Sequence, residues 1–158
     1  MTEFEEGMRH MEEIFGHGKD NLIALATLAQ EEGEPVRPAV RTLDAIYEDG
    51  AFYAVTYRNT NKMRQIAHNP QIAVAGCTDM FTASAIGEDL GWVLDLRNAE
   101  LRGRLRAAFA AWYDMANNEQ DENCRILAIR LGRGTLNVNH WEKLYHMDFA
   151  NRCMVDEP

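Results

Sequence analysis

The chain has 158 residues and a mass of 18.0 kDa, which is typical of one domain with one hydrophobic core. Its apolar and charged residues, 46% and 26% of the total, occur in the proportions of an ordinary soluble globular protein. The net charge of -9 argues against nucleic acid or an anionic membrane as a partner, because no excess of basic residues remains to neutralise phosphates. A small phosphorylated ligand needs only a local basic cluster and is not excluded.

The cysteines and the distribution of apolar residues bear on the cellular compartment. Cys77, Cys124 and Cys153 are odd in number and far apart, so we expect free thiols in a reducing environment. The sequence has no basic segment followed by an apolar run at its start, and no apolar stretch of about 18 residues. These features predict a cytoplasmic protein without membrane spans.

The N-terminal residues have the pattern of an amphipathic helix over residues 2–16. Thr2 and Glu5 have the spacing of a capping box. Apolar side chains recur at intervals of four, three and four residues, namely Phe4, Met8, Met11 and Phe15. The glycines of Gly16-His17-Gly18 then end the helix, which we expect to pack on a sheet.

The residues from about 21 to 86 have the pattern of a series of short strands. Residues 21–29 form a continuous apolar run, residues 34–48 and 51–57 flank the turn Glu48-Asp49-Gly50, and two further strands follow over residues 71–78 and 81–86. Pro38 lacks a backbone N–H, so its strand is predicted to lie at an edge, at a bulge or against a ligand.

The second half of the sequence predicts one long helix and a final strand. Asn98 is a plausible N-cap for a helix over residues 98–117, with Glu100 and Arg104 paired on its exposed side. Its buried stripe is predicted to contain Leu101, Leu105, Ala108, Trp112 and Met115. Residues 124–140 complete a mainly β fold, most simply a single domain with an antiparallel β-barrel and flanking helices.

Basic side chains lie on the predicted strand over residues 34–48 and on the short helix that follows the strand over residues 51–57. Arg37 and Arg41 are four residues apart, so both can point to one face of a strand. Lys62 lies at the start of a helix, where free backbone N–H groups and the helix dipole favour an anion. The pattern is consistent with a phosphate site, although solvated surface charges would give the same spacing.

The order of motifs in this region resembles the pyridoxamine 5'-phosphate oxidase-like family of FMN-binding split barrels. The resemblance depends on Pro35-Val36-Arg37-Pro38-Ala39-Val40, Phe52-Tyr53-Ala54-Val55-Thr56, Asn61-Lys62 and Asn69-Pro70, and it extends from about residue 20 to residue 80. It implies a split β-barrel, FMN as the cofactor, and a homodimer with the cofactor at the subunit interface.

The resemblance also implies which residues bind FMN. Lys62 is expected to bind the phosphate, with Asn61 beside it, and Val55 and Thr56 occupy strand-end positions that contact the cofactor. The strand alongside the flavin would be formed by Arg37, Pro38, Ala39, Val40 and Arg41. Either arginine could bind the phosphate, and the long separation between Arg37 and Thr56 favours Arg41.

The C-terminal sequence departs from the family pattern. True oxidases have an arginine-rich segment there that binds the substrate phosphate, whereas this chain has Arg152 alone. The resemblance therefore implies an FMN-dependent oxidoreductase acting on another small molecule. The alternatives are a flavin- or haem-binding sensor without turnover and a cofactor-free dimeric interaction protein.

The remaining candidate groups give weaker signals. The five histidines have no spacing typical of metal ligands, so no metal site is predicted. Trp141 either packs in the protein, the simpler interpretation, or approaches the flavin of a partner subunit.

Overall fold

The fold is an antiparallel β-barrel with helices at its ends and side, as seen in a computed structural model that describes residues 1–157. The strands are β1 (Asn21–Ala29), β2 (Arg37–Glu48), β3 (Ala51–Tyr57), β4 (Gln71–Gly76), β5 (Phe81–Trp92), β6 (Cys124–Val138), β7 (Lys143–Asp148) and β8 (Cys153–Met154). The α-helices are α1 (Glu3–Phe15), α2 (Asn61–His68), α3 (Ala99–Ala108) and α4 (Tyr113–Ala116), and a 3₁₀ helix spans Leu96–Asn98.

Six of the strands close into the barrel. They are hydrogen-bonded in the order β3-β2-β1-β4-β5-β6, and β6 pairs with β3 to complete the circle. All these pairings are antiparallel, whereas β7 and β8 extend the sheet beyond β6. The predicted mainly β, antiparallel barrel is therefore confirmed.

The barrel is open along part of β2. This strand pairs with β1 from Arg37 to Ala45, but with β3 only from Ile46 to Glu48. The first nine residues of β2 consequently have no strand neighbour on the side away from β1. Pro38 lies on this open edge, one of the three placements predicted for it, where its missing N–H costs no ladder hydrogen bond.

Two apolar clusters stabilise the fold. The larger fills the barrel and includes the rings of Phe15, Tyr47, Phe52 and Phe81, whose centroids are 5.3–6.4 Å apart in the closest pairs. The second lies outside the barrel wall, where α3 and α4 cover β3 and β6. Residues of β3 alternate between the two clusters because successive side chains point to opposite faces.

Short-range sequence signals agree with the local structure at two places. Thr2 and Glu5 form the reciprocal capping box at the start of α1. Asp49 and Gly50 both have positive φ angles, 39° and 86°, in the tight turn between β2 and β3. This φ combination suits the twist of a hairpin and explains the Asp-Gly sequence.

The predicted continuous helix over residues 98–117 is wrong. The segment forms the 3₁₀ turn, α3 and α4, with a break after Phe109, where the Trp112 N–H donates to the Phe109 carbonyl three residues back at 3.0 Å. Phe109 stacks on Trp112 with centroids 4.7 Å apart, whereas Met115 is 84% exposed instead of buried. Burial in the second cluster thus selects Phe109 and Tyr113 in place of the predicted stripe from Ala108 to Met115.

Other predictions in the second half also need correction. Arg104 pairs with Glu48 of β2, at 2.7 Å, instead of with Glu100. Strands β7 and β8 were not predicted, and β5 runs six residues beyond the predicted Ile86. Trp141 is 66% exposed, so the packing role favoured for it is wrong. No helix among residues 1–157 is long and apolar enough to cross a membrane.

Candidate functional site

The candidate site lies where β3 leads into α2. Thr60 is the N-cap of α2, but its hydroxyl donates to the carbonyl of Tyr57 at 2.8 Å and does not cap the helix. The first turn of α2 contains no acidic residue. The leading N–H groups of α2 consequently lack a side-chain acceptor, and the positive end of the helix dipole is not neutralised locally.

Arg41 reaches α2 from strand β2 and contacts it at Gln65, one turn after the start of the helix. Its Nη1 donates to Thr27 Oγ1 at 2.6 Å and to the Ala39 carbonyl at 2.9 Å, and its Nη2 donates to Gln65 Oε1 at 2.9 Å. The guanidinium is partly buried, and this burial lowers its pKa. Arg41 therefore connects β1, β2 and α2 at one point.

Lys62 is the second cation of the site. Its side chain is half-buried, and its pKa is lowered first by that burial and then by repulsion from Arg41. Among residues 1–157, neither Lys62 nor Arg41 forms an ion pair with a carboxylate. Two neighbouring, partly desolvated cations without a counter-ion favour the binding of an anion.

The other residues predicted on β2 lie along its open edge. Arg37 is exposed, pairs in register with Ala29, and shares a small pocket with Glu31 and Glu34. Ala39 is half-buried and contributes its carbonyl to Arg41. Pro38 and Val40 are exposed, and Val40 lines an outer groove of the barrel. Of the two candidate arginines, Arg41 is the one whose charge lowers the pKa of Lys62.

The predicted residues on β3 and α2 are distributed over different surfaces. Thr56 is buried on the barrel side of β3, whereas Val55 packs in the second cluster beneath α3. Asn61 is exposed, and its Oδ1 accepts a hydrogen bond from Arg64. The side chains of Val55 and Asn61 thus already have other contacts, and Lys62 is the member of this group that approaches Arg41.

Thr27 and Gln65 are the site residues that the sequence analysis missed. Thr27 is 1% exposed, although it is polar and lies within the apolar run of β1. Gln65 follows Lys62 by three residues and therefore lies on the same face of α2. The signal available for Thr27 was a hydroxyl at an inward-facing position of an apolar strand. For Gln65 the only signal was its spacing of three residues from Lys62.

Gly87 of β5 allows α2 to sit close to the barrel. A Cβ atom on Gly87 would lie 2.9 Å from Ile66 Cγ2 and 3.3 Å from Ile72 Cδ1. The Gly87 N–H also donates to the carbonyl of Pro70, just after α2, at 2.9 Å. This close approach fixes the position of α2 and hence of Lys62 relative to Arg41.

No group of three or more histidine, cysteine, aspartate or glutamate side chains suited to a metal ion occurs within residues 1–157. The three cysteines are free thiols, with Cys124 buried and the others exposed. The chemistry available at the site is thus that of cations, hydroxyls, amides and backbone groups.

Comparison with known proteins identifies the fold. No protein-family model and no curated protein sequence matches the chain. A protein related to general stress protein 26, of the pyridoxinephosphate oxidase family, from Clostridium acetobutylicum has a similar structure, with a TM-score of 0.61 and 15% identity over 95% of this chain and 96% of that one.

Two further similar structures come from proteins described by different ligands. An FAD-binding protein from Mesorhizobium loti has a TM-score of 0.58 and 15% identity over 81% of this chain and 89% of that one. A haem-binding protein from Mycobacterium smegmatis has a TM-score of 0.64 and 17% identity over 87% of this chain and 56% of that one. The chain therefore has the split-barrel fold of pyridoxamine 5'-phosphate oxidase-like proteins, as predicted, and this fold serves more than one cofactor.

Proposed function

We propose that this protein is an FMN-dependent oxidoreductase of the cytoplasm that acts on a small molecule. The observation that carries the proposal is the pair formed by Lys62 at the uncapped start of α2 and Arg41 against Gln65 one turn further along, without a carboxylate partner among residues 1–157. A phosphate carries the charge and the acceptor oxygens that this arrangement lacks. The split-barrel fold, shared with a flavin-binding protein, favours a flavin as the group attached to that phosphate.

The residues present fit FMN. Lys62, Arg41 and the first N–H groups of α2 would bind the phosphate, while the free backbone groups along the open edge of β2 would lie beside the flavin. Bound FMN supplies hydride and electron transfer, and the protein supplies position and electrostatics. Arg41 and Lys62 hold the phosphate, and β2 orients the ring and excludes water from one of its sides.

The proposal includes a homodimer that forms through the outer face of β1, β4 and β5. This face has a cavity of about 530 Å³ and is built largely from small, uncharged side chains, among them Ala24, Ala26, Ala73, Ala75 and Ser84. Arg133 is the one charged residue that lines this cavity, and a surface with so few charges is unusual in a chain in which 26% of residues are charged. Val40 of β2 borders the same face, so a dimer would form next to the edge proposed to contact the flavin.

Flavin titration tests the cofactor assignment. Purified protein is first examined by absorbance and then titrated with FMN and with riboflavin, which lacks the phosphate, while flavin fluorescence is followed. We expect FMN to bind more tightly than riboflavin, and Lys62→Ala or Arg41→Ala to weaken FMN binding about 10–100-fold through lost charge-assisted hydrogen bonds. Riboflavin binding should change little.

Arg9→Ala is the matched control because it also removes a cation, but from a surface ion pair with Glu13 on α1. Equal binding of FMN and riboflavin would contradict a phosphate site, and no binding of either would refute the flavin assignment. A Soret band in the purified protein would indicate haem instead. Bound FMN that no electron donor reduces would favour the sensor alternative.

Sedimentation tests the dimer. We expect a dimer in the presence of FMN, and Ala73→Glu, which introduces a charge into the middle of the outer face, should shift the protein to monomers. Ala110→Glu, at an exposed position between α3 and α4, is the control for the added charge. A wild-type protein that sediments as a monomer with and without FMN would refute this part of the proposal.

A further inference from the structure

The ring of hydrogen bonds around the Arg41 guanidinium consists of neutral partners. Thr27 Oγ1 accepts from Arg41 and donates to Gln65 Oε1, which also accepts from Arg41. Because both neighbours donate to it, the oxygen of the Gln65 amide must face them, and its orientation is determined. The other acceptors are the Ala39 carbonyl and, at 3.4 Å, the Leu25 carbonyl, so no partner among residues 1–157 neutralises the arginine.

Arginines elsewhere in the molecule are bound differently. Most have at least one carboxylate partner, namely Arg9, Arg97, Arg102, Arg104, Arg106, Arg125, Arg130, Arg133 and Arg152. Arg41 is partly buried, where a counter-ion would be most favourable, yet it has only hydroxyl, amide and carbonyl acceptors. Its three short hydrogen bonds also leave two of its five N–H donors free.

We propose that Gln65 and Thr27 are positioning residues that aim Arg41 at an anion, and that the neutrality of Gln65 determines the selectivity of the site for phosphorylated ligands. Gln65 lies on the same face of α2 as Lys62, so it ties Arg41 to the helix that carries the second cation. A glutamate there would accept the same hydrogen bonds but would neutralise Arg41. The inference rests on the proposed function, because the phosphate concerned is that of FMN.

A positioning role and a purely structural role for Gln65 predict different combinations of stability and FMN affinity. Gln65→Glu preserves the shape and the acceptors of the ring and adds an ion pair with Arg41, so the ligand-free protein should become more resistant to urea. The same change should weaken FMN binding at least about tenfold, because the phosphate then meets a neutralised arginine and a nearby carboxylate. If Gln65 served only to dock α2, Gln65→Glu would change stability and leave the preference for FMN over riboflavin in place.

The experiment measures urea unfolding of the ligand-free protein and titrations with FMN, riboflavin and inorganic phosphate for wild type and variants. Gln65→Glu should remove the preference for FMN over riboflavin and the stabilisation by inorganic phosphate. Thr27→Val should lower FMN affinity a few-fold, and Thr27→Ser, which keeps the hydroxyl, should restore it. An unchanged preference for FMN in Gln65→Glu would overturn the inference.

The outcomes separate this inference from the proposed function. If wild type binds inorganic phosphate but neither flavin, the flavin assignment fails, and the effect of Gln65→Glu on phosphate binding still tests the role of Gln65. If wild type binds FMN and Gln65→Glu binds it equally well, the assignment stands and the inference fails. If wild type binds neither FMN nor phosphate, both are wrong.

Discussion

Two clusters of basic side chains in this molecule use their charge in opposite ways. On α3, Arg102 and Arg106 both bind the carboxylate of Glu119, which follows α4, and Arg106 also pairs with Asp114 of α4 at 2.9 Å. The hydroxyl of Tyr113 also donates to Glu119, at 3.3 Å. Hydrogen bonding to acidic partners raises the pKa values of both arginines, so their charges stabilise the helical segment.

At α2, Arg41 and Lys62 have no such partner among residues 1–157, and burial lowers the pKa of each. The surrounding acceptors, Thr27 and Gln65, fix the geometry without removing the charge. The comparison shows that a cation can be held in place either by a counter-ion or by neutral hydrogen bonds. Only the second arrangement leaves its electrostatic attraction available to a ligand.

Removing the shared carboxylate should break the neutralised cluster and produce the largest loss of stability. In Glu119→Gln, Arg102 and Arg106 lose their common counter-ion, and we expect the free energy of unfolding to fall by about 2–3 kcal/mol, as measured by urea denaturation. FMN affinity should be unchanged, because this cluster does not contribute to the α2 site.

Asp114→Asn is the control for Glu119→Gln. Asp114 is 79% exposed and contacts Arg106 alone, so we expect a loss below about 1 kcal/mol. If Glu119→Gln also costs less than 1 kcal/mol, or if it weakens FMN binding, the distinction between the two clusters is wrong.

Displacing α2 should weaken both the fold and the site. In Gly87→Ala the new methyl group would lie 2.9 Å from Ile66 Cγ2, which forces α2 away from β5. We expect a loss of about 1–2 kcal/mol from overpacking and a several-fold loss of FMN affinity as Lys62 moves relative to Arg41. Urea unfolding and flavin fluorescence measure the two effects.

Gly103→Ala is the matched substitution in open space. Apart from the backbone of α3 itself, no atom of the described residues lies within 4 Å of a Cβ at this position, so the variant should gain about 0.5–1 kcal/mol from lower backbone entropy in the unfolded chain. An equal response of the two variants would show that the contact between Gly87 and Ile66 does not position α2.

The sequence predicts the parts of this fold that depend on neighbouring residues. Alternating and apolar runs locate β1 to β4 and most of β6, and the Asp49-Gly50 dipeptide predicts the hairpin between β2 and β3. The burial of Phe109 and Tyr113 was missed because it depends on packing against β3 and β6, which no local pattern encodes.

The candidate site was predicted only in part for a similar reason. The spacing of Arg37 and Arg41 and the position of Lys62 indicated an anion site, but Thr27 and Gln65 are 38 residues apart and meet only in the folded chain. The family resemblance implies Val55 as a cofactor contact, and β3 is apolar on both faces. Periodicity alone could not show which of those faces points into the barrel.

Removing the charge of Lys62 should increase the stability of the ligand-free protein, in contrast to the loss expected at Glu119. Its folded-state pKa is lower than that of the unfolded chain, about 10.5, so charged Lys62 destabilises the ligand-free protein at neutral pH. Lys62→Met should raise the free energy of unfolding by about 1 kcal/mol at pH 7, while FMN binding weakens about 10–100-fold, as for Lys62→Ala. The gain should shrink as pH rises from the lowered pKa towards 10.5, because wild-type Lys62 then loses its proton in the folded state first.

Lys143→Met should change the free energy of unfolding in the opposite direction to Lys62→Met. Lys143 binds Glu6 at 2.9 Å, and this interaction raises its pKa, so the substitution should reduce stability at pH 7. Urea midpoints at pH 7 and pH 9.5 measure both variants. A loss of stability in Lys62→Met at pH 7 would contradict an unneutralised cation at α2.

Asp20 and Asp44 are a pair of negative charges that repel each other, as Arg41 and Lys62 do with positive charges. The expected effect on stability is the smallest of those considered. Burial, together with a hydrogen bond to Asp20 and repulsion from it, raises the pKa of Asp44 from 3.8 to about 6. At pH 7 the ionised pair destabilises the fold, and this cost disappears as pH falls through 6 towards 4, because Asp44 takes up a proton in the folded state before it does so in the unfolded chain.

A proton can therefore relieve the repulsion between Asp20 and Asp44, whereas the repulsion between Arg41 and Lys62 requires an anion. Asp44→Asn should raise the free energy of unfolding by at most about 1 kcal/mol at pH 7 and by almost nothing at pH 4, since solvent screens the exposed Asp20. Asp20→Asn should relieve the same repulsion because it removes the other charge. It should not lose the hydrogen bond from the Trp112 indole, because the amide oxygen can still accept it. The double variant should then gain less than the sum of the two single variants, and strictly additive gains would show that the carboxyl groups do not interact.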